Sequence, residues 1–200
     1  MRKFILILLL MAPVLLHAQL TVAVKAGLNL AHISNTSDLR TSNYTGYMIG
    51  GYISPKQKKV LGFRSEIMLS RQGYDYSSGT HTGKVNLDYL LLPQLIVLKF
   101  TKKFQVHAGG QAAFLLNAGV DSTGGGGNNS SLFDYIKRFD YGVVGGLEVS
   151  PLSGFFLGSR INISLHNLKK TQPGAGSDPG FIPKDLIRNN VLQLYLGWRF

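Results

Sequence analysis

Residues 192–200 read Leu192-Gln193-Leu194-Tyr195-Leu196-Gly197-Trp198-Arg199-Phe200. Leu192, Leu194, Leu196, Trp198 and Phe200 share one parity; Gln193, Tyr195, Gly197 and Arg199 take the other. Successive side chains leave a strand on opposite sides, so a strict period of two marks a strand with one apolar face. The pattern recurs upstream. Leu20, Val22, Val24, Ala26, Leu28 and Leu30 alternate with Thr21, Ala23, Lys25, Gly27 and Asn29. Leu61, Phe63, Ile67 and Leu69 alternate with Gly62, Arg64, Glu66, Ser70 and Gln72. Phe104, Val106, Ala108, Ala112 and Phe114 face Gln105, His107, Gly109 and Gln111, and Phe155, Leu157, Ile161, Ile163 and Leu165 face Gly158, Arg160, Asn162, Ser164 and His166.

Two runs are weaker. Residues 44–54 place Tyr47, Ile49 and Ile53 together, and residues 139–149 set Phe139, Tyr141, Val143, Leu147 and Val149 against Asp140, Gly142, Gly146 and Glu148. Residues 84–100 are apolar on both parities after Tyr89, so the pattern leaves that strand's faces open. The total is eight strands. The best helix candidate, Ser131 to Arg138, falls inside a loop.

A soluble sandwich with its apolar face inward gives the same alternation as a membrane barrel with that face toward lipid. The connections choose between them. Ser34–Asn43, Asp75–Gly83, Ala118–Arg138 and Leu168–Arg188 are long; Pro55–Val60, Thr101–Lys103 and Pro151–Gly154 are short. Outer-membrane barrels have short periplasmic turns and longer outside loops. The expected fold is all-β: an eight-stranded antiparallel up-and-down transmembrane β-barrel with both ends in the periplasm. Tyr44, Tyr47, Tyr52, Phe63, Tyr74, Tyr76, Tyr89, Phe100, Phe104, Phe155, Trp198 and Phe200 lie near strand ends and are expected to form interfacial girdles.

Composition agrees. Charged residues make up 16% of the 200, against about 25% in ordinary soluble domains. The absence of cysteine excludes a disulfide framework, Cys-ligated zinc and a thiol nucleophile. Met1-Arg2-Lys3, the apolar run Phe4–Leu16 broken by Pro13, and a small residue at Ala18 read as a signal peptide over 1–18, with a barrel domain over 19–200. The rival reading, a membrane anchor, needs about 20 apolar residues, more than this run has. Removing Arg2 and Lys3 leaves 19 basic against 10 acidic residues.

Among the polar faces, Arg64, Glu66, Glu148 and Arg160 stand out. With Lys25, Gln72, Gln111, Asp140, Asn162 and His166 they are the candidate lumen network. It is either a pore constriction or a structural plug. An eight-stranded barrel is just wide enough for side chains to fill, which favours the plug. His32, His81, His107 and His166 lie far apart; His107 and His166 are expected to satisfy lumen hydrogen bonds. No HExxH or G-x-S-x-G is present, and Gly124–Gly127 lacks the Lys-Ser/Thr of a phosphate loop, so neither enzyme activity nor a cofactor or metal is expected. Lys56, Lys58, Lys59, Lys102 and Lys103 crowd two short turns. They either keep those turns wet or meet phosphate head groups or an acidic partner. Phe133 and Tyr135, in the third long loop, either fold onto the rim or face a partner. Nucleic acid is not an expected partner of an exported chain whose lysines form no stripe.

Several segments in this order resemble the PorT-type outer-membrane β-barrel proteins of Bacteroidetes. They are Val24-Lys25-Ala26-Gly27-Leu28-Asn29, then Gly46-Tyr47-Met48-Ile49-Gly50-Gly51-Tyr52, then Arg64-Ser65-Glu66-Ile67-Met68-Leu69-Ser70-Arg71-Gln72-Gly73. Asn86-Leu87-Asp88-Tyr89-Leu90-Leu91-Leu92-Pro93 and Phe139-Asp140-Tyr141-Gly142-Val143-Val144-Gly145-Gly146 follow. Leu91 departs from the family, which often has an acidic residue there. The resemblance implies an outer-membrane barrel, and its founding member is linked to protein secretion. The expected function is a non-enzymatic scaffold that presents loops and turns to envelope partners. The alternatives are a narrow channel or small-solute transporter and a loop-based adhesin or ligand binder. The expected surroundings are outer-membrane lipid and the barrel-insertion machinery, which would read the last strand ending at Phe200.

Overall fold

A computed structural model describes residues 20–34, 40–42, 44–56, 60–78, 81–122, 137–165 and 188–200. The strands are β1 (Leu20–Ser34), β2 (Arg40–Ser42), β3 (Tyr44–Pro55), β4 (Leu61–Ser78), β5 (His81–Lys99), β6 (Phe104–Ser122), β7 (Phe139–Val149), β8 (Phe155–Ser164) and β9 (Arg188–Arg199). Apart from β2, each pairs antiparallel with its sequence neighbours, and β1 closes on β9 through pairs such as Val24 with Trp198 and Leu28 with Leu194. The result is a closed barrel of eight strands. Closure leaves no edge of unpaired N–H and C=O groups, the condition for a sheet to stand in hydrocarbon. The three-residue β2 lies on the far end of β4, Arg40 opposite Ser77.

The three longest strands overshoot the membrane most. A spanning strand needs about 9–11 residues, whereas β4 has 18 and β5 and β6 have 19 each. At about 3.3 Å per residue and a tilt near 45°, 18 residues rise about 40 Å, against an apolar band of about 25 Å. The excess lies at the end opposite the short turns. The expected long loop Asp75–Gly83 is therefore mostly strand: β4 runs to Ser78 and β5 restarts at His81. Local polarity suggested a loop there, but cross-strand pairing extends the hairpin past the membrane. The expected signal peptide and residues 131–136 of the helix candidate lie outside the described residues.

The faces follow the alternation. Leu28, Ile49, Ile67, Ile161 and Leu196 point outward, each more than half exposed in the absence of lipid. The polar parity points inward. The open case, β5, is resolved: Val85, Leu87, Tyr89, Leu91, Leu95 and Val97 are buried, while Ile96 and Leu98 face out. The inner side of β5 joins Met68, Tyr74, Ala113, Leu115 and Ala118 in an apolar wall. The lumen is thus apolar along β5 and charged opposite it. A bulge on β6 leaves Leu116 unpaired between Leu115, opposite Tyr89, and Asn117, opposite Asp88.

The girdle expectation needs correction. Tyr52, Tyr74 and Tyr89 are buried inside the barrel, each at 3% exposure or less. They occupy the inward parity, which decides direction whatever their height along the strand. The outward rings Phe100, Phe104, Trp198 and Phe200 form a belt at the end with the short turns, with Phe100 and Phe104 centroids 5.8 Å apart. At the other end Phe114, Phe139 and Tyr141 tile in sequence, at 5.2 and 6.3 Å.

Candidate functional site

Among the described residues, the densest cluster of charged side chains is inside the barrel. Two carboxylates organise it. Glu66 on β4 accepts from Lys25 Nζ of β1 at 2.7 Å and from Arg160 Nη1 of β8 at 2.6 Å. Glu148 on β7 accepts from Arg64 Nη1 at 3.0 Å and Gln105 Nε2 at 2.6 Å, and pairs with Arg199 of β9. Arg64 also lies 3.6 Å from Glu66, linking the two hubs. Apart from Arg199, the side chains of these ion pairs are at most 3% exposed.

Buried ions are tolerated only where every charge is paired and hydrogen-bonded. Four cations face two carboxylates here, and aromatic faces and amides absorb the excess. Arg64 stacks 4.0 Å over Tyr52, Lys25 lies 4.7 Å from the Tyr195 ring, and Arg199 lies 4.7 Å from Phe156. Arg160 Nε donates to Gln193 Oε1 at 2.5 Å. Gln193 Nε2 donates to Asn29 Oδ1 at 2.7 Å, and Asn29 Nδ2 donates to Ser70 Oγ at 2.9 Å. Glycines make room for the large groups. A Cβ on Gly158 would lie 2.4 Å from Cζ of Tyr195, and one on Gly197 would lie 2.3 Å from Cζ of Phe156.

Lys25, Arg64, Glu66, Glu148 and Arg160 therefore meet in one network, and Gln72 joins through a bond to Ser70 Oγ at 2.9 Å. Gln111, Asp140 and Asn162 do not reach the hubs. They line a separate cavity of about 20 Å³ nearer the outer end, room for about one water, where Ser164 Oγ donates to Asp140 Oδ1 at 2.9 Å. Both polar atoms of Asn162, Gln111 Oε1 and the Tyr89 hydroxyl have no partner among the described residues. His107 corrects an expectation: it is buried on the inward face, yet neither ring nitrogen has a hydrogen-bond partner among the described residues.

His166, Lys58, Lys59, Phe133 and Tyr135 lie outside the described residues. Lys102 and Lys103 are exposed on the β5–β6 turn. Lys56, just past β3 at the same mouth, is on the wall of a cavity of about 210 Å³ that Arg64, Lys99 and Arg199 also line. Sequence reasoning did not single out Asn29, Gln105, Gln193, Tyr195 and Arg199 as network members. Each sits on the inward parity of its strand, a signal that marks the face but not the partner.

The Glu66–Arg160 pair, joining β4 and β8, lies between the two cavities, since Arg64 lines the lower and Gln72 and Asn162 the upper. The arrangement is a cross-lumen clamp in an outer-membrane barrel.

Known proteins agree on the architecture. The attachment invasion locus protein Ail of Yersinia pestis superposes with a TM-score of 0.51 at 12% identity, over 90% of this chain and 98% of Ail. Neisserial surface protein A superposes with a TM-score of 0.52 at 12% identity, over 90% of this chain and 97% of its own. At such identity the likeness concerns the fold alone. No curated protein matches the sequence. The model of the outer membrane protein beta-barrel domain matches residues 17–170. Most of the sequence, the closed barrel and its lipid-facing band thus lead to one assignment: the chain belongs to the outer membrane protein beta-barrel domain family.

Proposed function

We propose that the protein is a non-conducting scaffold of the outer membrane, presenting its outer hairpins and basic periplasmic turns to other envelope proteins. The role is non-enzymatic. The resemblance to PorT-type barrels puts protein secretion first among the assemblies it would serve. The observation that supports a scaffold over a channel is the double carboxylate clamp. Glu66 and Glu148 hold cations from β1, β4, β8 and β9 across the narrowest kind of barrel. Opening a solute path would separate buried ion pairs, and removing one partner of such a pair costs about 3–5 kcal/mol. Partners would meet the β4–β5 hairpin outside and Lys102 and Lys103 inside.

Planar-bilayer recording of the refolded protein tests the first half. The scaffold reading expects a silent bilayer; steady, reproducible conductance steps would replace it with the channel reading. A photo-cross-linker at Lys103 tests the second half. The expected result is a discrete adduct with an envelope protein in cells, and a turn that yields none removes the partner-facing role.

A further inference from the structure

We propose that the periplasmic mouth of the barrel is a binding site for a phosphate group. This goes beyond the scaffold reading and does not depend on it. The mouth holds a cavity of about 210 Å³, roughly ten times the volume of the outer one. Lys56, Arg64, Lys99 and Arg199 line it, from the end of β3, from β4, from β5 and from β9. Thr21 and Ser54 add hydroxyls, and no carboxylate among the described residues lines it.

The two guanidiniums are held in position before any ligand arrives. Glu148 pairs with both from the lumen side. Arg199 Nε donates to the Tyr52 hydroxyl at 2.7 Å and its Nη1 to Ser150 Oγ at 2.8 Å. Arg64 stacks on the same tyrosine ring. Donors fixed in this way lose little freedom on binding.

Unmet donors remain. Arg64 Nε is buried without an acceptor among the described residues, on a side chain only 3% exposed. Native proteins rarely leave such a group unpaired. Lys56 and Lys99 have no anionic partner among the described residues. Four cations converge on one cavity and Glu148 offsets one charge. A singly charged, planar carboxylate would satisfy one fork; a tetrahedral phosphate carrying up to two charges can meet donors from several strands at once. Lys102 and Lys103 on the neighbouring turn extend the positive field that would draw it in. The phosphate can be free or carried on a lipid headgroup.

The test uses the mature chain refolded in nonionic micelles and titrated calorimetrically with inorganic phosphate. A second arm places the protein in phosphatidylcholine nanodiscs with or without phosphatidic acid and scores retained lipid by native mass spectrometry. The expected result is saturable binding in at least one arm, weakened tenfold or more in Lys56→Gln/Lys99→Gln and kept in Lys102→Gln/Lys103→Gln. Binding in the first arm assigns free phosphate; binding in the second arm alone assigns the lipid. Both variant pairs should keep a heat-dependent gel shift, since the changed side chains lie at the mouth. No saturable binding in either arm, or equal affinity of wild type and Lys56→Gln/Lys99→Gln, overturns the site. A conducting barrel that still binds phosphate would sink the scaffold and leave this site standing.

Discussion

Replacing Glu66 by glutamine should unlock the lumen without changing its volume. In the wild type its carboxylate accepts from Lys25 at 2.7 Å and Arg160 at 2.6 Å, with Arg64 at 3.6 Å. At an effective dielectric constant near 20, each of the two close contacts carries about 6 kcal/mol of Coulomb attraction and the longer one about 5 kcal/mol. Most of that offsets the several kcal/mol needed to desolvate each ion. In Glu66→Gln the attraction is lost, while the cations stay buried and share one amide oxygen. The expected loss of stability is about 3–5 kcal/mol, or roughly two to three and a half powers of ten in the unfolding equilibrium. Urea unfolding from lipid vesicles measures it. Trp198, the single tryptophan, is the fluorescence reporter on the lipid-facing side. A loss below about 1 kcal/mol would refute the clamp. So would additivity within about 0.5 kcal/mol of Glu66→Gln and Lys25→Met, because a real pair must couple.

Three further outcomes follow from the packing. Gly158→Ala should cost about 1–3 kcal/mol, because the new Cβ would overlap the buried Tyr195 ring; unchanged urea stability would mean that the ring can move aside. Ile161→Arg places a charge on the outward face of β8 and should cost about 2–4 kcal/mol in vesicles if that residue sits near the bilayer midplane; improved solubility without detergent, and no loss, would contradict a lipid-facing surface. Tyr89→Phe removes a hydroxyl with no partner among the described residues and should be neutral or stabilising by up to about 1 kcal/mol; a loss beyond that would reveal a bound water in the outer cavity.

The sequence by itself determined which side of most strands meets lipid. Alternation around Leu28, Ile67 and Leu196 is a local property, and the long-short order of connections selects a barrel with its short turns on one side. Parity also put Lys25, Glu66, Glu148 and Arg160 on the inner face. What parity cannot carry is angular position around the barrel. Glu66 meets Arg160 across 94 residues and Gln193 meets Asn29 across 164, pairings that exist only after β1 closes on β9 and the register is set. The same holds for β5. With both of its faces apolar, the chain is silent about which turns inward until Val85, Tyr89 and Leu91 find Met68, Ala113 and their neighbours as an inner wall. Tyr52 shows the limit most directly. Its place near a strand end suggested a ring at the membrane surface, whereas the tertiary structure turns it inward beneath Arg64, where a buried cation needs its face. Local sequence encodes which way a side chain points; closure decides what it meets.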